Sequence, residues 1–334
     1  MRFIRALLGL LTTLQLGYGA VNPSPLYTPP KKPSYRYGHA PTPDAYTRSM
    51  WCGSTEFGAE ALFWRREEGD FLYALTSEGG IAMLRGVRPN YEWDYRVYLG
   101  YHLPMGWGAR ITYTRFYDSF SGRVEGGISL FGGDPLNGAT GKVYQRYQAV
   151  DAEVIASLCC SRYASLLAFG GARWLRLALD EQYHYERTVG PLLTVQQRGK
   201  FTGTGPRFGL RGVLTPIPCG CMNNFEVAGQ VAISGPIGSR RSRFVATEPI
   251  VAMGNVGLTY PSRTQVIPGL EMKVGAAYAF RWMANSWTLY IDYEQQVYLD
   301  ADRRAGALSE SGLPMTNAPL LTLSGVNFGF RLRY

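Results

Sequence analysis

From Trp51 onward, apolar and polar residues alternate with a period of two along most of the chain. In the clearest stretch Trp93, Tyr95, Val97, Leu99, Tyr101 and Leu103 fall on one face, and Asp94, Arg96, Tyr98, Gly100 and His102 fall on the other. A period of two predicts β-strands with unlike faces, because successive side chains of a pleated strand point to opposite sides. The pattern recurs at 107–113 with Arg110 on the polar face, at 150–158 with Asp151 and Glu153, at 208–214 with Arg207 and Arg211, and at 225–233 with Glu226. It continues at 270–282 with Glu271, Lys273 and Arg281, at 287–293 with Asp292 and Glu294 beside it, and at 326–334 with Arg331 and Arg333.

Strands of about ten residues, apolar on one face and charged or glycine-bearing on the other, suit a closed barrel in lipid, where every backbone group must be paired within the sheet. A soluble sandwich is the alternative, since its apolar faces would meet in a core. Two features favour the membrane. Aromatic residues stand at strand ends (Trp64, Trp93, Trp107, Trp282, Trp287, Tyr334), where an interfacial girdle belongs. Short links at 104–106, 159–162 and 283–286 and a moderate one at 215–224 alternate with long ones at 67–92, 118–144, 180–200, 235–262 and 299–319. The predicted fold is therefore all-β: a closed antiparallel transmembrane β-barrel over 51–334, with short periplasmic turns and long outer loops. Ten strands are counted directly; twelve or more follow if segments such as 71–75 or 250–260 form hairpins.

Composition agrees. Of 334 residues 40 are Gly and 20 Pro, 46% are hydrophobic and 18% charged, which excludes low-hydrophobicity disorder and long helical arrays. Residues 1–19 have the layout of a secretory signal: Arg2 and Arg5, an apolar run at 6–16 too short to span a bilayer as a helix, then Gly17 and Gly19. Residues 20–50 are proline-rich and predict an extended periplasmic tail.

The formal charge is +9, but its surplus lies in the signal, in the tail and around Arg240, Arg241 and Arg243. The strand faces expected to line a pore (Arg96, Arg110, Asp151, Glu153, Arg207, Arg211, Lys273, Arg281, Asp292, Glu294, Arg331), extended by Glu60, Asp94, Glu226, Glu271 and Arg333, carry both signs equally. That balance predicts weak ion selectivity.

Taken in order, the stretches FGAEALFW (57–64), WDYRVYLGYHLPMGWGARITYTRFY (93–117), VDAEVIASL (150–158), LAFGGARWLRLAL (167–179), KFTGTGPRFGLRG (200–212), LEMKVGAAYAFRW (270–282), YIDYEQQVYL (290–299) and LSGVNFGFRLRY (323–334) resemble the major outer membrane proteins of Legionella and of Chlamydia-related bacteria. The resemblance implies a porin-like barrel in the bacterial outer membrane, passing small hydrophilic solutes. The terminal run Phe328, Phe330, Leu332 and Tyr334 resembles the signal read by the barrel assembly machinery. The family offers no catalytic residues, and neither an enzymatic role nor a cofactor is expected. The alternative function is a structural or adhesive surface barrel with little transport.

Five cysteines (Cys52, Cys159, Cys160, Cys219, Cys221) fall near the periplasmic side, where disulfides are permitted. They pair within the chain or, as the resemblance to chlamydial relatives suggests, crosslink neighbours into a homo-oligomer. Histidine occurs only at 39, 102 and 184, which speaks against zinc. An acid–base cluster at Asp180, Glu181, His184 and Glu186 is outweighed by its reading as a solvated loop. The glycines of GTGPRFG (203, 205, 209) fit small inward positions of a strand better than a phosphate loop. No nucleic-acid motif is present; the expected partners are outer-membrane lipid, small solutes and the assembly machinery.

Overall fold

The computed structural model describes residues 53–67, 71–78, 81–103, 106–129, 135–161, 163–190, 192–219, 223–247, 256–282, 285–301 and 320–334. The predicted signal peptide, the proline-rich tail, Cys52 and Cys221 lie outside them.

The described residues form β1 (Ser54–Arg66), β2 (Phe71–Glu78), β3 (Ile81–Val87), β4 (Glu92–His102), β5 (Trp107–Glu125), β6 (Ile128–Ser129), β7 (Leu136–Cys160) and β8 (Ala164–Arg187). They continue with β9 (Leu193–Cys219), β10 (Asn223–Ser234), β11 (Ile237–Thr247), β12 (Val256–Val266), β13 (Gly269–Trp282), β14 (Asn285–Tyr298) and β15 (Leu321–Arg333). Ten of them close a barrel in the order β1-β4-β5-β7-β8-β9-β10-β13-β14-β15. β15 returns to β1 in antiparallel register from Glu56↔Arg333 to Arg66↔Leu323. Closure removes the sheet edges that a bilayer would leave without hydrogen-bond partners.

Two of the ten staves are interrupted and then resume. β10 pairs with β9 as far as Ser234↔Arg207, and β11 continues at Ile237↔Thr204 in the same register. β12 and β13 are likewise one stave broken at Ile267 and Pro268. Proline cannot donate to the ladder, yet the carbonyls still serve: Pro206, Pro236 and Pro268 accept from Gly235, Ile267 and Leu299 at 3.0, 2.9 and 2.8 Å.

β5, β7, β8 and β9 run for 19, 25, 24 and 27 residues, well beyond the roughly 9–11 that cross a bilayer. The segments 118–144 and 180–200, expected as loops, are largely continued hairpins. Polarity inverts along them. In the lower half the outward residues are apolar, among them Leu99, Ile111, Val154, Phe208, Ile233, Val274 and Leu289, all exposed to the bilayer side. In the upper half the apolar residues turn inward: Phe120, Val143, Tyr183, Tyr185, Val195 and Phe244 surround Phe71, Tyr73, Ala74 and Val87 of the β2–β3 hairpin. This hairpin, with β6, makes a small second sheet and fills the upper interior. It packs close to Gly141, where an added Cβ would stand 2.9 Å from Val87 and 3.1 Å from Tyr73.

The chain reverses tightly at the end that holds Ser54 and Tyr334, as at Leu103 to Trp107 and Ser161 to Ala164. In outer-membrane barrels the short turns are periplasmic.

Candidate functional site

Alternation along the lower staves sends one side chain in two into the barrel, and there the charged ones meet. Arg96 donates through Nη1 to Glu60 and Glu294, both at 2.7 Å, and through Nη2 to Glu294 at 2.9 Å. Lys273 joins Glu60 at 3.1 Å and Asp292 at 3.2 Å, while the Tyr290 hydroxyl donates to Glu60 at 2.9 Å. On the opposite wall Arg173 clamps Asp151 with two hydrogen bonds of 2.6 Å and also meets Glu271. Arg207 bridges Glu271, at 2.5 Å, and Glu153, and Arg110 reaches Glu153 at 2.9 Å. Bidentate pairing of this kind is what permits ions to be buried at all.

These groups line a cavity of about 850 Å³, part of it open to solvent. Its charged lining is seven bases (Arg96, Arg110, Arg173, Arg207, Arg211, Lys273, Arg331) and seven acids (Glu60, Asp151, Glu153, Glu226, Glu271, Asp292, Glu294). Of the residues expected to line a pore, all but Asp94, Arg281 and Arg333 are on this wall: Asp94 accepts from the Tyr117 backbone N–H at 2.9 Å and lies 3.5 Å from Arg115, and Arg281 is exposed at the inner end of β13. Room for the cavity comes from small residues on β10 and β13: Ala228, Gly275 and Ala277. A second cavity at the inner mouth shares Arg110, Arg211 and Arg331 with the first and adds Glu56, His102 and Arg333. There Arg333 donates to Glu56 at 2.6 Å, and His102 lies 3.2 Å from the same carboxylate.

Above the charged chamber lies an apolar layer. Leu62, Trp64, Phe116, Tyr147, Leu175, Phe201, Ile267, Tyr298 and Leu323 project inward from β1, β5, β7, β8, β9, the β12–β13 junction, β14 and β15, and none is more than 2% exposed. The Tyr147 and Tyr298 hydroxyls meet across the lumen at 2.9 Å. Side chains thus fill the lumen over most of this level, beside a pocket lined by Leu177, Phe201 and Leu321.

Trp64 is a correction to the expected girdle. It points inward because even-numbered positions of β1 face the lumen, and it fits against Gly325, opposite it on β15. Its indole donates to Asn327 at 2.7 Å, and Asn327 in turn donates to Asp292 and Glu294 at 2.6 and 2.7 Å. Trp93, Trp107, Trp282 and Tyr334 do face outward, each more than half exposed.

Sequence reasoning missed Arg173, Tyr147 and Tyr298. Arg173 had a signal, because outward Ala172 and Trp174 set its parity, but inward Leu175 and Leu177 make that run apolar on both faces and mask the alternation.

The remaining candidates separate. Glu181 faces inward and accepts from the Tyr183 hydroxyl at 2.7 Å. Asp180 and His184 lie on the outer face, the former accepting from Arg198 at 2.8 Å and the latter 3.2 Å from Thr194. An acid–base cluster is not assembled. Gly203, Gly205 and Gly209 occupy inward positions of β9, where an added Cβ would collide with Phe201 and Ile237, with Gly235, and with Phe169 and Val231. Cys159 is an exposed free thiol at the inner end of β7, and Cys160, also exposed, has its Sγ 2.8 Å from Ser157 Oγ. No group of three or more His, Cys, Asp or Glu fit to hold a metal occurs among the described residues.

Residues 47–333 match the family described as the Legionella pneumophila major outer membrane protein precursor. No curated protein matches the chain. Solved structures similar to it include the outer membrane protease OmpT from Escherichia coli, with 10% identity over 84% of this chain and 96% of that one and a TM-score of 0.37. A Pseudomonas aeruginosa FadL homologue shows 8% identity over 85% and 90%, with a TM-score of 0.29. The Ralstonia pickettii toluene transporter TbuX shows 8% over 84% and 89%, with a TM-score of 0.28.

Proposed function

Because the chain belongs to the Legionella major outer membrane protein family and is a bacterial outer-membrane β-barrel, we propose that it serves as a closed surface barrel, structural or adhesive in role, that acts through its outer strands. The observation that supports this reading is the layer of buried, packed side chains from Leu62 to Leu323 across the lumen. A passive channel needs a continuous water column. A ten-stranded barrel is little wider than the eight-stranded ones whose interiors are filled by side chains, and far narrower than porins of 16–18 strands. The β2–β3 hairpin adds a second obstruction above the layer. In this reading the barrel has no enzymatic role, residues 1–19 direct export, and the C-terminal strand engages the assembly machinery.

The second reading is a weakly selective porin for small hydrophilic solutes, and the charged chamber favours it. Seven acids balance seven bases there, so an open state would discriminate little between anions and cations.

Conductance of the refolded full chain in planar bilayers separates the two. The closed reading expects no steady current, with Trp64→Ala plus Leu175→Ala creating one. Steady conductance by the wild type, with a reversal potential near zero in a KCl gradient, would establish the porin instead.

A further inference from the structure

We propose that the outer rim formed by β8, β9 and β11 binds the phosphate groups of an outer-leaflet glycolipid. Outward positions on these strands are fixed by register. At the upper edge of the apolar belt stand Trp174, Thr204 on its partner strand, and Ile237 next to that. Two residues up come Arg176, Thr202 and Ser239. Immediately beyond, Lys200 lies directly opposite Arg241, and Arg198 directly opposite Arg243.

Like charges directly opposite one another destabilise a sheet, so this arrangement gains nothing for folding. Only Arg198 has a carboxylate, Asp180 at 2.8 Å. Among the described residues none pairs with Arg176, Lys200, Arg241 or Arg243. Two bases on β1 and β5 differ. Arg65 lies 3.6 Å from Glu67 and over the Tyr91 ring, and Arg115 lies 3.5 Å from Asp94 and over the Tyr117 ring. Those two bases are satisfied within the protein, whereas Lys200 on β9 and Arg241 and Arg243 on β11 face outward with no partner among the described residues.

A phosphate set between the two opposed pairs would turn repulsion into charge-assisted hydrogen bonding, for which the arginine fork is suited. The Ser239 hydroxyl, 2.7 Å from that of Ser262, lies on the same face just below. Height also fits. Arg241 is four residues above Ile237, about 13 Å along a strand and less along the tilted barrel axis. Long basic side chains reach down over apolar surface to the headgroup level. The occupant is therefore a lipid whose acyl chains lie on the belt around Phe208 and Ile233 while its phosphates reach the rim. A soluble polyanion would use the bases but not the adjoining apolar surface.

The test compares retention of diphosphorylated lipid A and its dephosphorylated form by the refolded full chain in neutral detergent, scored by native mass spectrometry. The expected result is a preference of roughly tenfold or more for the phosphorylated lipid, as hydrogen bonds to charged groups give. Millimolar inorganic phosphate and heparin should fail to displace it. Lys200→Gln with Arg241→Gln and Arg243→Gln should remove the preference, and Arg65→Gln should leave it intact. Equal retention of both lipids by the wild type overturns the proposal without recourse to any variant. So does displacement by heparin or phosphate, which would mark a site for soluble anions.

Discussion

Arg173 and Trp64 carry more of the interior than their neighbours. Arg173, 2% exposed by its side chain, faces Asp151 and Glu271, and its Nη1 donates to Tyr298 at 2.8 Å. Removing one partner of such a buried cluster leaves uncompensated charge, which costs about 3–5 kcal/mol. Arg173→Met should therefore lower the urea midpoint of the refolded protein in micelles, followed by tryptophan fluorescence. Adding Asp151→Asn should recover part of that loss, since contacting residues are not additive. If the double variant is less stable than the single, the pairing is not what holds this wall. The lumenal parity of Asp151, Glu153, Lys273 and Asp292 was legible because their neighbours in sequence are plainly apolar. Trp64 was not, because an aromatic residue at a strand end reads as girdle until its parity against Leu62 and Glu60 is counted.

For whole elements, the lower staves were legible and the upper ones were not, for one physical reason. A strand in lipid shows apolar residues outward, whereas above the bilayer the same strand faces water and must show them inward. On β5 the outward residues pass from Trp107, Ile111 and Tyr113 to Ser119, Ser121 and Arg123, while inward positions pass from Arg110 and Thr112 to Phe116 and Phe120. A period of two persists with its phase reversed, and a search for one phase ends in an apparent loop. The β2–β3 hairpin is held by this reversal, since it has apolar wall to pack against. Gly141 lies tight against it, leaving no room for a side chain. Gly141→Leu should expel the hairpin while leaving the membrane half intact, and trypsin should then cut at Arg85 faster than in the wild type. Unchanged cleavage would show that the hairpin is retained by other contacts.

At the largest scale the described residues form two barrels in series on the same staves, one with a polar interior inside the membrane and one with an apolar interior outside it. Topology is testable on intact cells. A tag inserted at Gly190, between β8 and β9, should be labelled from outside, and one after Ser161, between β7 and β8, should not; labelling of the second would invert the assignment. The long staves also have a mechanical consequence. From Trp174 to Arg187 is fourteen residues of unbroken β8, roughly 43 Å of strand at about 3.3 Å per step. Paired on both sides and packed from within, it behaves as a mast and not as a tether: a force applied at its tip is carried to the bilayer as leverage, with little slack. Whatever touches the cell at that height meets a stiff lattice whose tips keep fixed spacing, and repeated copies of this chain would present an ordered array of rigid contact points.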